Sequence, residues 1–581
     1  MSVPRPNTIR ERVALNAGVP RDKELTRILA LPRRVWSEVR TRRVVTELTA
    51  KYKRKRGTQE LWPEQAVALT EIERYGGIAG GIKVSGGKTL ISFLAPSVLA
   101  HLDRPLLLCP SKSIKTGKVA AAYKAARRHW KVRKDITWLS YELLQRKEYA
   151  DYLERTQPKI LILDEAHWAG RWNSSRTKRI SRYLKAHPDV VCIVLSGSLI
   201  ASRVVNDSLR LCWWARRKRS PLPRPGKSGK STARYWGMAL ELPARCKPGA
   251  LRAFCNGDEK TLKGVGRRYR QTPGIVISSG KSNIGASLSL ETEYVKITDQ
   301  RVIDAVGNVR AGRMPDGTEL LDPDGSNTWS TVQTLALGFY YVYDPPPPAR
   351  WLRAYRNWCS YSREVIADED NDLDTEAQVI ACVDDNCWPY LDWIAVRDDY
   401  KLTRKAIWLS DDRVTAAQAW MRSHKHGIVW TQFKAFGQRL SPYYGAQAMD
   451  RASGRYILQH ERGHACCASI KVCGEDLDLQ HIFYQNLYPT PPASGSWHDQ
   501  TIARTHRYGQ LEGEVSARYW LACTENRNAL SVARAREEAA AEMDGHMQRK
   551  LLIGEWTEGR QPAQRGNPLW QGKKIARALM V

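Results

Sequence analysis

A short apolar run that ends in two adjacent carboxylates is the sequence feature that most constrains the fold of this chain. Residues 159–163 read KILIL, and Asp164 and Glu165 follow directly. Four consecutive large apolar residues predict a short strand that is buried on both faces, as in a parallel sheet. In open α/β sheets, ligands bind beyond the carboxyl ends of the strands. We therefore expect both carboxylates to face a ligand cleft.

The chemistry of this strand end suits a magnesium-dependent phosphoryl site. Asp164 would hold Mg²⁺, and Glu165 would polarise an attacking water. His167 follows within one turn and would report the state of the bound phosphate to the rest of the protein. Alone, the tetrapeptide at residues 164–167 is a weak signal, so its interpretation depends on the other motifs.

A glycine-rich segment upstream completes the pattern of a phosphate site. Residues 80–90 read GGIKVSGGKTL, with Ser85, Gly86 and Gly87 before Lys88 and Thr89. Glycines let backbone N–H groups close around phosphates, the lysine adds a point charge, and the threonine hydroxyl ligates Mg²⁺. The apolar spacing after Lys88 predicts an amphipathic helix whose positive N-terminus faces the phosphates.

The match to the P-loop pattern is imperfect, because Ile82 stands at the first glycine position. A glycine-rich turn before a helix is the alternative interpretation. Residues 225–232, which read PGKSGKST, match the pattern better but follow no apolar strand. A P-loop needs a strand–loop–helix context to aim its amides. We therefore interpret 225–232 as a flexible basic loop.

The residues before the glycine-rich segment predict a basic extension and a helix. Residues 1–57 are basic, partly helical, and end in KYKRKRG, which is either a solvated linker or a contact to a DNA backbone. A helix is predicted from residues 61–69, with Pro63 in its first turn. On this helix, Gln65 would recognise adenine through its amide, although a lone glutamine is more often polar surface.

Further apolar runs predict the remainder of a parallel sheet. Residues 106–110, 136–141 and 190–195 each indicate a short buried strand, and helical stretches such as 118–130 alternate with them. This alternation indicates βαβ units. The 190–195 strand is followed by Ser196 and Ser198, whose hydroxyls would relay hydrolysis to a bound nucleic acid.

Charge favours a polyanionic partner. The 581 residues include 92 Lys+Arg and 60 Asp+Glu, which leaves a net charge of +32. Such an excess favours binding to a phosphate backbone, because binding releases counterions. The alternatives are a uniformly basic surface and attraction to anionic lipid. No run reaches the about 18 apolar residues that span a bilayer. We find no secretory signal at residues 1–23 and no Cys-x-x-Cys pair among 12 cysteines, so we expect a cytoplasmic protein with reduced thiols.

The last third of the chain carries a second group of polar motifs. Residues 427–433 predict a strand, and residues 498–510 read HDQTIARTHRYGQ. Arg504 and Arg507 lie three apart, so we predict that they share one helix face. Guanidinium groups that enter from a second domain can neutralise charge on a transferring phosphoryl group. A solvated helix face is the alternative for such a pair.

In order and approximate spacing, these motifs resemble those of superfamily-two helicases and translocases, specifically the Swi/Snf-type branch. The segments that carry the resemblance are roughly 57–215 and 405–535, and the most specific are 467–480 and 498–510. The resemblance implies ATP and Mg²⁺ as cofactors and double-stranded DNA as partner. It implies catalytic roles for Glu165, Gln500, Arg504 and Arg507. Weaker similarity of the middle region to insertions in phage-encoded members suggests a phage origin.

Two features of the chain remain outside those motifs. Trp351, Tyr355 and Trp358 follow a tetraproline at helical spacing, and we expect a packed interface here rather than a base-stacking surface. Histidines and cysteines between residues 460 and 473 allow a zinc site as an alternative. Three of these cysteines, however, fall on or beside a strand that the motor interpretation already explains.

We therefore predict an α/β protein with two RecA-like parallel-sheet lobes in tandem. The predicted units are a basic extension (1–57), a first lobe (58–215), an insertion (216–404), a second lobe (405–535) and a basic tail (536–581). The predicted function is a Swi/Snf-type motor that couples ATP hydrolysis to translocation on double-stranded DNA or to its remodelling. The alternatives are a strand-separating DNA or RNA helicase and a basic DNA-binding scaffold whose ATPase has decayed.

Overall fold

The computed structural model describes most of the chain. The described residues are 18–83, 86–170, 174–197, 199–200, 206–225, 232–241, 244, 246–278, 284–317, 325–367, 373, 375–384, 386–440, 447–448, 457, 463–474, 477–545, 549–559 and 568–570. Ser85, His460 and most of the P-loop-like segment 225–232 therefore lie outside the described residues.

Two parallel sheets form the framework of the protein. The strands are β1 Ala79–Gly81, β2 Pro105–Cys109, β3 Thr137–Ser140, β4 Ile160–Asp164, β5 Val191–Ser196, β6 Ile275–Ile277, β7 Ser287–Tyr294, β8 Phe339–Tyr343, β9 Arg404–Trp408, β10 Gly427–Thr431, β11 Gln447–Ala448, β12 Cys466–Ser469, β13 Gln485–Tyr488, β14 Glu514–Leu521 and β15 Glu555–Glu558. The first sheet has the order β3-β2-β4-β5-β1-β6, and the second has the order β11-β12-β10-β13-β14-β7-β15. All of these neighbours are parallel, whereas β8 and β9 form a separate antiparallel pair. The predicted fold class, two RecA-like parallel-sheet lobes, is confirmed.

Helices connect the parallel strands and cover both sheets. Their bounds are Lys23–Ala30, Glu38–Tyr52, Pro63–Tyr75, Lys88–Val98, Ser111–Lys115, Lys118–His129, Tyr141–Leu144, Tyr152–Thr156, Ser175–Ala186, Asn206–Arg216, Thr232–Leu240, Thr261–Gln271, Gln300–Arg310, Gly325–Leu335, Ala349–Ala367, Glu376–Cys382, Trp388–Ile394, Asp412–Ser423, Lys434–Leu440, Ile470–Cys473, Gly495–Thr505, Thr524–Asp544 and Lys550–Ile553. Parallel strands need such crossover connections, because a tight hairpin turn joins only antiparallel strands.

The β4 strand is buried on both faces, as its apolar run predicts. Leu161 and Leu163 belong to one hydrophobic core, and Ile160 and Ile162 belong to the core on the opposite face of the sheet. All four side chains are fully buried. This alternation follows from the two-residue period of a strand. It brings Asp164 to the carboxyl edge of the sheet, where burial ends.

The strand pairing differs from the predicted division of the chain. β6 pairs with β1 of the first sheet, and β7 lies between β14 and β15 of the second sheet. Residues 216–404, predicted as an insertion, therefore contribute a strand to each lobe. The chain passes from the first sheet to the second between residues 277 and 287. β6 is a continuous apolar run of only three residues, whereas β7 alternates buried and more exposed positions.

The two ends of the chain also pack into the lobes. Helix Glu38–Tyr52, from the predicted N-terminal extension, buries Val44 and Leu48 in the core of the first lobe. We call Thr524–Asp544 the tail helix. Its first half contributes Leu530 to the core of the second lobe, and its second half contributes Met543 to the core of the first lobe. The tail helix thus connects the interiors of both lobes.

The middle region forms a small helical unit beside the β8–β9 pair. Trp351 and Trp358 are buried, which confirms the packed interface predicted for this helix. Trp351 stacks on Tyr355 with 5.0 Å between ring centroids and meets Trp393 edge-on. Among the described residues, every helix is too short or too polar to cross a membrane.

The position of β7 inside the second sheet can be tested by core truncation. Leu290 in β7 is fully buried, whereas Leu402 is 38% exposed. We expect Leu290→Ala to destabilise the protein by about 2–5 kcal/mol, because truncation removes apolar contact and leaves a cavity. Leu402→Ala is the matched control and should have a much smaller effect. Thermal unfolding followed by circular dichroism measures both, and equal midpoints would contradict the placement of β7.

Candidate functional site

The glycine-rich segment connects β1 to helix Lys88–Val98. We call residues 82–87 the phosphate loop, of which Val84 and Ser85 lie outside the described part of the chain. Gly87 stands before the first turn of this helix with φ +79°, a left-handed conformation that L side chains rarely adopt. A Cβ atom at Gly87 would lie 2.0 Å from Nε2 of Gln65. Only glycine therefore fits the position without rearrangement.

Gln65 joins the preceding helix to this loop. Its side-chain oxygen accepts a hydrogen bond from the Trp62 backbone N–H at 2.8 Å, and its amide nitrogen donates to the Gly87 carbonyl at 3.4 Å. The side chain is almost completely buried. The predicted adenine-recognition residue thus lies directly beside the phosphate loop, where its amide also caps a helix.

Lys88 and Glu165 meet across the first sheet. The Lys88 ammonium lies 3.0 Å from Oε1 of Glu165 and donates to the Ile82 carbonyl at 3.3 Å. The Lys88 side chain is 8% exposed and that of Glu165 is 24% exposed. A buried ammonium needs such compensation. A phosphate bound in the loop would compete with Glu165 for this ammonium.

The backbone bends sharply after Asp164. Glu165 has φ +50° and ψ +50°, an uncommon conformation for a residue with a side chain. The Glu165 N–H donates to Oδ1 of Asp164 at 3.1 Å, and the Tyr141 hydroxyl donates to the Asp164 carbonyl at 2.9 Å. These bonds fix the backbone at the end of β4.

His167 lies between Glu165 and the end of β5. The Nδ1 atom of His167 lies 3.5 Å from Oε2 of Glu165 and 3.1 Å from the Ser196 hydroxyl oxygen. The predicted carboxylate, imidazole and hydroxyl are thus contiguous. Both contacts are made by the same ring nitrogen, Nδ1 of His167.

Magnesium and a triphosphate fit this set of side chains. Gly86 and Gly87 carry no side chains that would cover the loop backbone, and Lys88 offers a buried ammonium. Thr89 is exposed at the helix start, and Asp164 is partly exposed at the strand end. Both offer the oxygen ligands that Mg²⁺ prefers, and Mg²⁺ usually completes its shell with water and phosphate oxygens. Among the described residues, no group of three His, Cys, Asp or Glu side chains gathers to form a metal site by itself.

We call residues 499–507 the arginine segment. Gln500 and Arg504 lie on helix Gly495–Thr505, but this helix ends before Arg507. The prediction that Arg504 and Arg507 share one helix face is therefore wrong. His506 is not in the helical conformation, because its ψ is 83°. Its ring nitrogen Nε2 hydrogen-bonds to the Ala286 carbonyl.

Both arginines nevertheless bind the same neighbouring loop. Arg504 is 4% exposed and donates to the Leu477 carbonyl at 3.1 Å. The Arg507 guanidinium pairs with Asp478. Their orientation therefore depends on residues 477–478, which continue the predicted motif at 467–480.

The arginine segment lies at the junction of the lobes. Burial lowers the pKa of Lys550 to about 8, and the charges of Lys83, Arg504 and Arg507 act in the same direction. Lys83 belongs to the phosphate loop, so cations of both lobes lie within electrostatic range of one another. Elsewhere at this junction, Lys112 of the first lobe donates to the Val472 carbonyl of the second at 3.0 Å.

Three residues at this junction escape prediction from sequence. Lys83, Asp499 and Lys550 interact electrostatically across the two lobes. Lys83 and Asp499 lie inside recognised motifs but not at positions with a general chemical role. Lys550 lies in the predicted basic tail, where only the general excess of charge stands out.

The zinc alternative depends partly on residues outside the described chain. Cys466 and Cys467 lie in β12, and Cys473 ends the short helix that follows it. All three thiols are buried, and burial raises the pKa of Cys467 and of Cys473 to about 12. The three cysteines pack as members of the hydrophobic cores of the second lobe.

Comparison with known proteins yields likenesses among solved structures. No protein-family model and no curated protein matches the chain. Among solved structures, the chain is similar to the Sulfolobus solfataricus SWI2/SNF2 ATPase core in complex with dsDNA. The identity is 14%, the alignment covers 86% of this chain and 98% of that one, and the TM-score is 0.29. A likeness of this degree assigns no role to any residue, so the roles depend on the geometry of this chain.

The close approach of Gly87 and Gln65 can be tested by substitution. Gly87→Ala introduces both backbone strain and overlap with the Gln65 amide. Gly117→Ala is a matched control, because Gly117 has φ +72° before another helix and open space around it. We expect Gly87→Ala to destabilise the protein by about 1–3 kcal/mol more than the control, the usual effect of overpacking. Thermal unfolding measures the difference, and adding Gln65→Ala should remove most of it.

Proposed function

We propose that the chain is an ATP-dependent motor of the Swi/Snf type that acts on double-stranded DNA. The observation that carries this proposal is the ion pair between Lys88 of the phosphate loop helix and Glu165 at the end of β4. It unites the predicted phosphate-binding lysine with the predicted water-activating carboxylate. The second parallel sheet supports the proposal, because its arginine segment lies at the junction with the first lobe.

The proposed roles follow from the positions of the side chains. Lys88 and the loop amides would bind the triphosphate, and Gln65 would recognise the adenine from the adjacent helix. Thr89 and Asp164 would hold Mg²⁺, which neutralises phosphate charge when bound. Glu165 would orient and polarise the attacking water.

The second lobe would complete the site from the opposite side. Arg504 and Arg507 would neutralise the charge that develops on the transferring phosphoryl group. Gln500 lies on the same helix as Arg504 and would contact the nucleotide or its water. His167 and Ser196 would transmit the change from Glu165 to the DNA-binding surface. Repeated closure of the lobes would then move the protein along its track.

The charge of the chain supports a nucleic-acid partner. A net charge of +32 favours binding to a phosphate backbone through counterion release. Binding of ATP at one site would not by itself require such an excess of positive charge. Double-stranded DNA is the partner that the sequence resemblance implies. The protein would act in the cytoplasm, on DNA that includes an infecting genome.

Glu165→Gln tests the proposed chemistry. The amide cannot accept a proton from water, so we expect kcat for DNA-stimulated ATP hydrolysis to fall by about 10²–10⁴-fold. The KM for ATP should stay the same or fall, because Lys88 loses its internal carboxylate partner. Glu154→Gln is the control, because Glu154 pairs with His187 on the surface of the same lobe. Normal turnover in Glu165→Gln would contradict the assigned role.

Nucleic-acid dependence tests the proposed partner. We expect duplex DNA to stimulate ATP hydrolysis more than single-stranded DNA or RNA. Binding should weaken with salt, with a slope of log K against log salt of about −0.9 per neutralised phosphate. Strand displacement on forked duplexes would favour the helicase alternative. A parent protein that binds DNA but never hydrolyses ATP would favour the scaffold.

A further inference from the structure

A buried guanidinium joins the tail of the chain to the first lobe. Arg549 is 4% exposed, and its Nη2 atom donates to Asp544 at 2.7 Å and to the Ile200 carbonyl at 3.0 Å. Its Nη1 atom lies 3.4 Å from the buried Glu537 carboxylate. Ile200 follows the Ser196 hydroxyl by four residues in the first lobe. Arg549 precedes helix Lys550–Ile553, whose Leu551 packs in the core of the second lobe, so the bond from Arg549 to Ile200 crosses from one lobe to the other.

The next residue holds the arginine segment. The Lys550 backbone N–H donates to Oδ1 of Asp499 at 2.7 Å. The Lys550 ammonium lies 2.7 Å from Nδ1 of His506 and donates to the His506 carbonyl at 3.0 Å. Asp499 and His506 lie at opposite ends of the arginine segment. Lys550 therefore binds both ends of the stretch that contains Gln500 and Arg504.

The protonation states match this arrangement. An ammonium has only donors, so Nδ1 of His506 accepts its hydrogen bond and the Nε2–H donates to the Ala286 carbonyl at 2.9 Å. Burial, followed by the charge of Lys550, lowers the pKa of His506 to about 4, so the ring stays neutral near pH 7. Burial lowers the pKa of Lys550 to about 8, against the opposing effect of Asp499, so the amine remains largely protonated at that pH.

The phosphate loop is also within reach of this cluster. Burial lowers the pKa of Lys83 to about 8, and the charge of Asp499 opposes the change. Arg549 and Asp544 also influence Lys83. Arg549 and Lys550 themselves are buried, so their contacts have little freedom to rearrange independently.

We propose that Arg549 and Lys550 are positioning residues that hold the arginine segment in register with the first lobe. Arg549 anchors the tail to the backbone after β5, and Lys550 fixes the two ends of the arginine segment relative to that anchor. The proposal rests on the proposed ATPase function for its effect on catalysis. The contacts that carry it are independent of that function. Arg549 and Lys550 would thus affect ATP hydrolysis without touching the nucleotide, by positioning the arginine segment.

Lys550→Met is the informative variant. Methionine has similar length and fills the buried space, while it removes the ammonium that binds His506. Arg549→Met is less informative, because it leaves buried carboxylates without their cation and threatens folding. Lys260→Met is the matched control. Lys260 also reaches across to the tail helix, where it pairs with Glu542 at 2.9 Å, but its side chain is 79% exposed.

Two measurements on the full chain test the proposal. Hydrogen exchange should show about tenfold weaker protection of amides in residues 499–507 in Lys550→Met, because a charge-assisted hydrogen bond contributes this order of stabilisation. DNA-stimulated ATP hydrolysis should show about tenfold lower kcat with KM for ATP within about twofold, as expected when only transition-state contacts are lost. Lys260→Met should match the parent in both.

Each outcome supports or overturns the proposal. Unchanged exchange in 499–507 overturns it, whatever the ATPase rate. If protection of residues 499–507 weakens but kcat is unchanged, the catalytic part of the proposal is overturned. A parent without ATPase activity refutes the proposed function, while the exchange comparison still decides whether Lys550 holds the segment. If Lys550→Met does not fold, Asp499→Ala replaces it, because alanine removes the acceptor for the Lys550 N–H. Loss of protection in that variant supports the proposal, and parental protection overturns it.

Discussion

The buried ion pair between Lys88 and Glu165 is the interaction on which the arrangement of the first lobe depends. β5 lies between β1 and β4 in the sheet, so the two strands that lead to this pair are not neighbours. Strands are about 4.8 Å apart, so the distance to be bridged is about 10 Å. A long lysine side chain and a carboxylate that leaves its strand in a left-handed bend can meet across it. Shorter side chains at either position would leave a buried charge without its partner.

The same reasoning explains which parts of the fold were predictable from sequence. β4 has a continuous apolar run because both of its faces are covered, and its ends follow from that run. The helix after the phosphate loop follows from glycine and apolar spacing. β7 was not recognised, because residues 287–294 alternate in polarity and this pattern does not show which sheet they join. Its neighbours, β14 and β15, lie more than 200 residues away in sequence, as the pairs Ser287–Glu514 and Ser289–Glu555 show.

Prediction of the candidate site was limited in a different way. Residue types and spacing indicated which side chains have phosphoryl chemistry, and the structure places Lys88, Glu165, His167 and Ser196 in one contact chain. The arrangement of Arg504 and Arg507 could not be derived from a spacing of three, because tertiary hydrogen bonds at His506 end the helix. Arg549 and Lys550 carry no local signal at all. Their importance follows from burial and from partners in distant segments, which only the folded chain brings together.

The tail helix has a consequence for how this chain can be divided. Because Leu530 is embedded in one interior and Met543 in the other, a cut between the two sheets would leave the first half with an open surface around Gly266 and Arg270. Neither half is then a self-sufficient folding unit, and recombination that exchanges one lobe would have to carry a matching tail with it. Fragments made for expression should instead be designed as complementing pairs. The two lobes are thus held together by a helix that belongs to the interiors of both.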